Sequence, residues 1–180
     1  MKKKFGFILL VGVTFTLAAC ARNVGVVTTI HAEYPSYDTA NDLVDSADLI
    51  FSGTVENISY EELDVRTESG TDPTTGLTSS HGIPYTIYEI KVDTIYKGTA
   101  QEDTISIKVP GGVMGGNQYI IDDAPTISLG ETYLFLTETY ERTYPSLLNV
   151  TQATYDLNAP EAYEENTDKI TLSQILEILE

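Results

Sequence analysis

A run of 14 residues that alternate between two faces is the feature that most restricts how this chain folds. Residues 84–97 read PYTIYEIKVDTIYK, with odd-numbered residues on one face and even-numbered residues on the other. Most strands span roughly 3–10 residues. A strand of 14 residues is therefore predicted to bend strongly and to be shared by two sheet edges. The residues that favour strands are also common elsewhere, since the chain has 12 tyrosines and no tryptophan.

Shorter alternating or apolar segments predict further strands on both sides of this one. They lie at 24–30, 48–58, 103–109, 131–139 and 147–157. A short helix is predicted over residues 39–47, capped by Thr39 or Asn41. A second helix is predicted over the C-terminal ITLSQILEILE, where Thr171 and Gln174 have the spacing of a capping box.

These elements predict a mostly β fold: a small five- to six-stranded OB-like barrel, with a two-sheet sandwich as the alternative. One short helix precedes the first main strand, and the C-terminal helix is expected to pack against the sheet. Residues 39–180 are predicted to form a single β-rich domain. Within it, the polar segment 61–83 and the acidic segment 158–169 are predicted loops.

The N-terminus has the three parts of a secretory signal peptide. Lys2, Lys3 and Lys4 precede the uncharged apolar run FGFILLVGVTFTL at 5–17, and small residues follow. The apolar run is shorter than the roughly 20 residues that a transmembrane helix needs. The sequence therefore predicts an exported protein with a cleaved leader.

Leu17-Ala18-Ala19-Cys20 resembles the lipobox of bacterial lipoproteins. The resemblance implies that 1–19 is a signal peptide removed before Cys20 and that the Cys20 sulfur receives a diacylglyceryl group. Two acyl chains hold a protein on a membrane stably, whereas one is marginal. Residues 20–38 are then a lipidated N-terminus and tether, and the domain lies on the extracytoplasmic face of the cell membrane. The alternatives are an ordinary signal peptide that leaves a free thiol, or an uncleaved anchor.

The charge of the chain excludes nucleic acid as a partner. With 27 acidic and ten basic residues the net charge is −17, and loss of the three leader lysines lowers it to −20. Such a surface repels phosphate backbones and anionic lipid headgroups, so membrane attachment requires a covalent anchor. The single cysteine allows no disulfide within the chain, and stability depends on the core.

Several further motifs resemble a class of small domains in exported proteins, mostly of Gram-positive bacteria. They are SADLIFSGTV at 46–55, YEIKV at 88–92, IYKG at 95–98, VPGGVMGG at 109–116 and LGETYLFL at 129–136. The first motifs are also similar to the N-terminal OB-fold domain of tissue inhibitors of metalloproteinases. That family chelates the protease zinc through an N-terminal cysteine and is tied by disulfides. This chain has neither feature, so the resemblance implies the fold and not the inhibition.

The glycine-rich connection is the candidate binding loop. Gly111, Gly112, Val113, Met114, Gly115 and Gly116 lack the Lys-Ser/Thr and the following helix of a phosphate-binding loop. They favour a wide turn or bulge with positive φ, and the alternative is an exposed recognition loop. Tyrosines at 85, 88, 96, 119, 133, 140 and 144 either suit the strands or line a peptide or carbohydrate surface.

No catalytic or metal-binding residues are predicted. His31 and His81 lack paired metal-ligand spacing, no nucleophile elbow is present, and no cofactor motif is found in the sequence. The sequence therefore predicts a lipid-anchored surface lipoprotein that is not an enzyme and binds a protein, peptide or cell-wall component. The alternative is an extracytoplasmic hydrolase or protease-inhibitor-like module that uses segment 61–83 or the glycine loop.

Overall fold

The computed structural model describes residues 25–31, 33–64, 82–122, 124, 126–159 and 170–180. The lipobox Leu17-Ala18-Ala19-Cys20, the histidine His81, most of the predicted loop 61–83 and residues 160–169 of the acidic segment lie outside the described residues. The elements in chain order are β1 (Val27–Ile30), α1 (Ala40–Ser46), β2 (Leu49–Leu63), β3 (Ile83–Lys97), β4 (Thr104–Pro110), β5 (Gly112–Met114), β6 (Asn117–Ile121), β7 (Thr132–Glu138), β8 (Ser146–Leu147), β9 (Thr154–Asp156) and α2 (Leu172–Leu179).

Five strands close into a barrel in the order β2-β3-β4-β8-β7, and β7 returns to β2. Neighbours in the ring are antiparallel except β4 and β8, which are parallel through the pair Lys108 and Ser146. Strand β9 adds to β7 outside the ring. The closed ring confirms the predicted small OB-like barrel rather than the two-sheet sandwich.

The two longest strands bend so that the barrel can close. β2 and β3 each span 15 residues, and their pairing shifts at three places between Ile50 and Asn57. Gly53 lies at one of these bulges, where a Cβ would come within 2.4 Å of the Lys91 carbonyl oxygen. Only glycine therefore allows the two backbones to approach this closely. β3 ends at Lys97, and the next residue, Gly98, has a φ of +83°.

Alternation along the strands builds the barrel interior. Ile90 of β3, Ile107 of β4 and Phe135 of β7 are fully buried there. Phe51 of β2 stacks on Phe135 of β7 with ring centroids 5.3 Å apart. Offset aromatic pairs of this kind add to the stabilisation that comes from burying the rings.

A second, three-stranded sheet has the order β1-β6-β5. β1 lies inside the predicted tether 20–38 and runs parallel to β6, in the region where the sequence predicts a strand. Strands β5 and β6 form a hairpin whose two-residue turn is Gly115-Gly116, with φ of +58° and +81°. The predicted connection at 110–117 is therefore a hairpin, because paired positive φ angles match the twist of two antiparallel strands.

The two helices pack together at one end of the molecule. The Thr39 side chain caps α1 by accepting a hydrogen bond from the Asp42 amide at 3.1 Å. The Lys97 ammonium, on β3, donates to two carbonyls at the other end of α1. α2 has the predicted capping box of Thr171 and Gln174. It packs mainly on α1, whereas the sequence predicted packing against the sheet.

Two predicted boundaries are wrong. Residues 147–157 do not form one strand, since the Asn149 side chain accepts the amides of Thr151 and Gln152 and turns the chain between β8 and β9. β2 also continues to Leu63, into the predicted loop 61–83, because pairing with β3 supports its polar end. Among the described helices, none has the length and apolar character needed to cross a membrane.

Candidate functional site

A cavity of about 250 Å³ lies on the outside of the barrel, where β4, β7 and β8 meet. We call it the Lys108 pocket, and its polar lining consists of Tyr34, Tyr37, Tyr85, Lys108, Glu138, Tyr140 and Ser146. Tyr85 comes from β3, Lys108 from β4 and Tyr140 from the connection between β7 and β8. OB-folds bind ligands on the face of their second and third strands and on the loop between the fourth and fifth. In this barrel those parts are β3, β4 and residues 139–145.

Strand alternation places Lys108 on the outer face of β4. Its neighbours Ile107 and Val109 point into the barrel core, so Lys108 points away from it. The lysine is nevertheless only 4% exposed, because residues of the β7–β8 connection cover it. A lysine this buried is unusual in a folded protein unless it is paired.

The Lys108 ammonium has neutral contacts. It donates a hydrogen bond to the Tyr144 carbonyl oxygen, and it lies 4.0 Å from the centre of the Tyr140 ring. Among the described residues, the ion pair between His31 and Asp122 is the one found within 4.0 Å, and Lys108 takes no part in it. The Tyr144 carbonyl oxygen and the face of the Tyr140 ring therefore contact the Lys108 ammonium. No carboxylate among the described residues is in direct contact with it.

Burial shifts the protonation of this lysine. It lowers the pKa of Lys108 from 10.5 to about 8, while the negative charge of Glu138 acts in the opposite direction. The loss of hydration thus outweighs the attraction of the nearby carboxylate. Lys108 remains mostly protonated at neutral pH, at a cost to the folded state.

Two tyrosine hydroxyls in the pocket have no hydrogen-bond partner among the described residues. The Tyr34 hydroxyl is buried and unpaired. Tyr85 is 5% exposed and lines the same cavity; no hydrogen bond of its hydroxyl is found among the described residues, but unlike the Tyr34 hydroxyl it retains some contact with solvent. Burial raises the pKa of both phenols, so both remain protonated hydrogen-bond donors across the physiological range.

The acidic residue at the rim is already engaged. The Tyr140 hydroxyl donates to Glu138 at 3.1 Å, and both side chains are exposed. On the same connection, the Tyr144 hydroxyl donates to Glu61 of β2 at 3.3 Å. The Tyr144 bond joins the β7–β8 connection to β2, whereas the Tyr140 bond is local to the end of β7.

The predicted glycine loop forms one wall of a different cleft. Gly111, Gly112 and Val113 line a cleft of about 310 Å³ between the barrel and the small sheet, together with Tyr60 and Tyr88. A Cβ on Gly112 would lie 2.7 Å from the Tyr60 ring, so the hairpin packs tightly at this point. Burial raises the pKa of Tyr88 to about 12. Among the described residues, those that line the cleft carry no charged side chain, and they offer fewer polar groups than the lining of the Lys108 pocket.

A larger cavity of about 760 Å³ lies between the two helices and borders Ile170. Ile170 directly follows residues 160–169, which are outside the described part of the chain. Its lining is mainly exposed polar side chains such as Asp38 and Glu177, with no converging buried group. We therefore place the candidate site at the Lys108 pocket.

The sequence predicted part of this site. Tyr85, Tyr140 and Tyr144 belong to the tyrosines considered for a ligand surface, and the fold brings them together. Tyr133, from the same set, is buried in the core. Lys108 was missed, because a lysine between two core residues of a strand normally points to solvent.

No group of three or more metal-ligating side chains is found among the described residues. No protein-family model matches the chain, and no curated protein matches it. The proposed function is therefore argued from the geometry of the pocket and from the N-terminal sequence.

Proposed function

We propose that this protein is a lipid-anchored binding domain on the extracytoplasmic face of the cell membrane, with its ligand site at the Lys108 pocket. The domain binds a protein, peptide or cell-wall component and carries out no reaction on it. The single observation that supports the ligand site best is Lys108 itself, which is 4% exposed and has no acidic side chain in contact among the described residues.

A buried ammonium of this kind is costly to the folded state, so packing alone does not account for it. Replacing a buried charge by an apolar side chain of similar size is often neutral or stabilising. Residues that weaken the fold in this way cluster at functional sites, where the ligand provides the missing partner. The open cavity beside Lys108 provides the space for such a ligand.

The anchor is supported by the N-terminal sequence. The lysine-rich start, the apolar run and Leu17-Ala18-Ala19-Cys20 follow one another in the order of a lipoprotein leader. The first described residue, Gly25, lies five positions after Cys20. An extended chain of that length reaches at most about 18 Å, so an anchor on Cys20 keeps the domain close to the membrane.

The ligand site is tested by photo-crosslinking on living cells. A benzoylphenylalanine replaces Tyr140, which keeps an aromatic ring at the pocket. The matched control carries the same probe at Tyr96, which is 38% exposed on β3 and lies outside the pocket. We expect a discrete crosslinked product from position 140 and none from position 96. Equal products from both positions, or none from either, would contradict a ligand site at the pocket.

The anchor is tested by mass spectrometry of the N-terminal peptide from the membrane fraction. We expect a peptide that begins at Cys20 and carries acyl chains, and we expect Cys20→Ser to move the protein out of the membrane fraction. An unmodified Cys20 in a membrane-bound protein would contradict the anchor. Release of a cleaved product from the captured ligand would show a hydrolase instead of a binding domain.

A further inference from the structure

We infer that the Lys108 pocket recognises a carboxylate, held by the Lys108 ammonium and by the hydroxyl groups of Tyr85 and Tyr34. This inference rests on the proposed function, because it names the chemical class of the ligand for the same site. The ligand part that enters the pocket is a carboxylate on a short apolar stem.

Hydrogen-bond donors outnumber the acceptors that they reach in the cavity. Lys108, Tyr34 and Tyr85 all carry N–H or O–H groups; the Tyr34 hydroxyl is buried without a partner, and no hydrogen bond of the Tyr85 hydroxyl is found among the described residues. Glu138, at the rim, accepts the Tyr140 hydroxyl at 3.1 Å and does not reach the Tyr34 hydroxyl. The pocket therefore has unused donors, and a ligand that satisfies them must bring acceptor oxygens.

The charge of the pocket favours an anionic ligand. A buried ammonium with neutral contacts gains most from a negatively charged partner, because charge-assisted hydrogen bonds are roughly twice as strong as neutral ones. The chain has a net charge of −17, and Glu138 lies close to the pocket. A ligand with two negative charges is therefore disfavoured, and a singly charged carboxylate matches the single ammonium.

The size of the cavity and its apolar lining limit the part of a ligand that it can hold. About 250 Å³ is small beside the roughly 300–1,000 Å³ of pockets that hold a whole drug-sized molecule. Apart from its polar groups, the cavity is lined by Val109, Leu147, Leu148 and Val150. This surface fits a few carbon atoms next to a carboxylate, not a complete sugar chain or helix.

The test is a titration of the intact mature chain with a matched pair of probes, 3-phenylpropionate and 3-phenylpropionamide. They have nearly the same shape and differ in the charge of the terminal group. After removal of the leader the chain contains four lysines, at 91, 97, 108 and 169, so the side-chain NMR signals of labelled lysine are few enough to assign.

We expect the acid to move the Lys108 signal saturably and to raise the Lys108 pKa from about 8 toward its usual value. The amide should bind about tenfold more weakly, since its carbonyl oxygen still accepts from the ammonium but carries no negative charge. Lys108→Met should abolish the effect of the acid, while Lys91→Met, at an exposed lysine on β3, should leave it unchanged. Tyr85→Phe should lower the affinity for the acid about tenfold, and Tyr96→Phe should leave this affinity unchanged.

Equal affinity for the acid and the amide would overturn carboxylate recognition, and so would a Lys108 signal that stays fixed at high acid concentration. Neither result would remove the ligand site itself, which depends on the crosslink from position 140. Loss of that crosslink would contradict the proposed function even if small acids enter the pocket. The two failures are therefore distinguishable.

Discussion

The sharpest prediction concerns the pH dependence of folding stability caused by Lys108. In the unfolded chain the pKa of a lysine is 10.5, and in the folded chain burial lowers it to about 8. Between these values the unfolded chain binds more protons than the folded chain. The free energy of unfolding should therefore rise with pH across this interval, and below about pH 8 the full cost of the buried charge should be present.

The magnitude follows from the same values. Each pKa unit corresponds to about 1.4 kcal/mol, so the fall from 10.5 to about 8 corresponds to roughly 3 kcal/mol of lost stability near pH 6. Near pH 9.5 the residual cost is roughly 1 kcal/mol, because Lys108 is then mostly neutral when folded. Stability should thus increase by about 2 kcal/mol over this range. Above pH 10 the buried tyrosines with raised pKa reverse the trend.

The assay is urea unfolding of the unlipidated chain from residue 20 onward, with Cys20→Ser, at about pH 6 and pH 9.5. The variant Lys108→Met removes the charge and keeps an apolar stem of similar length. It should lose the increase of about 2 kcal/mol, whereas Lys91→Met, at an exposed lysine, should retain it. A rise in stability that is the same with and without Lys108 would refute the reasoning.

Three further predictions concern the fold. Phe135→Ala should lower the free energy of unfolding by about 3–5 kcal/mol, because Phe135 is fully buried and stacks on Phe51; a loss below 1 kcal/mol in urea unfolding would contradict the barrel core. Thr171→Ala should cost about 1 kcal/mol by removing the cap of α2, and Thr171→Ser should restore most of it in the same assay. Gly115→Val should lower the melting temperature because Gly115 has a φ of +58°, while Gly115→Asn should have little effect, and equal losses would argue against the tight turn.

The long alternating segment predicted most of the barrel. Residues 84–97 form a strand with Ile90 in the core, as the pattern indicates, and the pairing of β2 with both β3 and β7 closes the ring. The capping box of Thr171 was also predicted correctly, because the residues that form it lie within four positions of one another. Local patterns of this kind depend on the residues themselves and need no information from the rest of the chain.

The errors in the strand boundaries arose where local signals are short or ambiguous. The break between β8 and β9 had a local signal, since Asn149 accepts two following amides, but its apolar neighbours resemble a continuous strand. At Gly115-Gly116 the sequence predicted a wide turn or bulge and not a hairpin, because the two strands are only three and five residues long. Short strands give too few alternations to be recognised.

The candidate site was the least predictable part. Alternation correctly places Lys108 on the outer face of β4, but its burial depends on Tyr140 and Tyr144, which lie more than 30 positions later in the chain. Tyr34 reaches the same pocket from the segment before α1. No pattern within β4 signals that a lysine at this position loses its contact with water.

The measurement that tests the central claim most directly is the yield of the crosslink from position 140 on living cells, with and without Lys108→Met. If the ligand is held by the buried ammonium, the yield should fall about tenfold in the variant at equal surface abundance, because a charge-assisted bond is lost. The same yield in both proteins would contradict the account, since the ligand would then bind without the lysine on which the site is built.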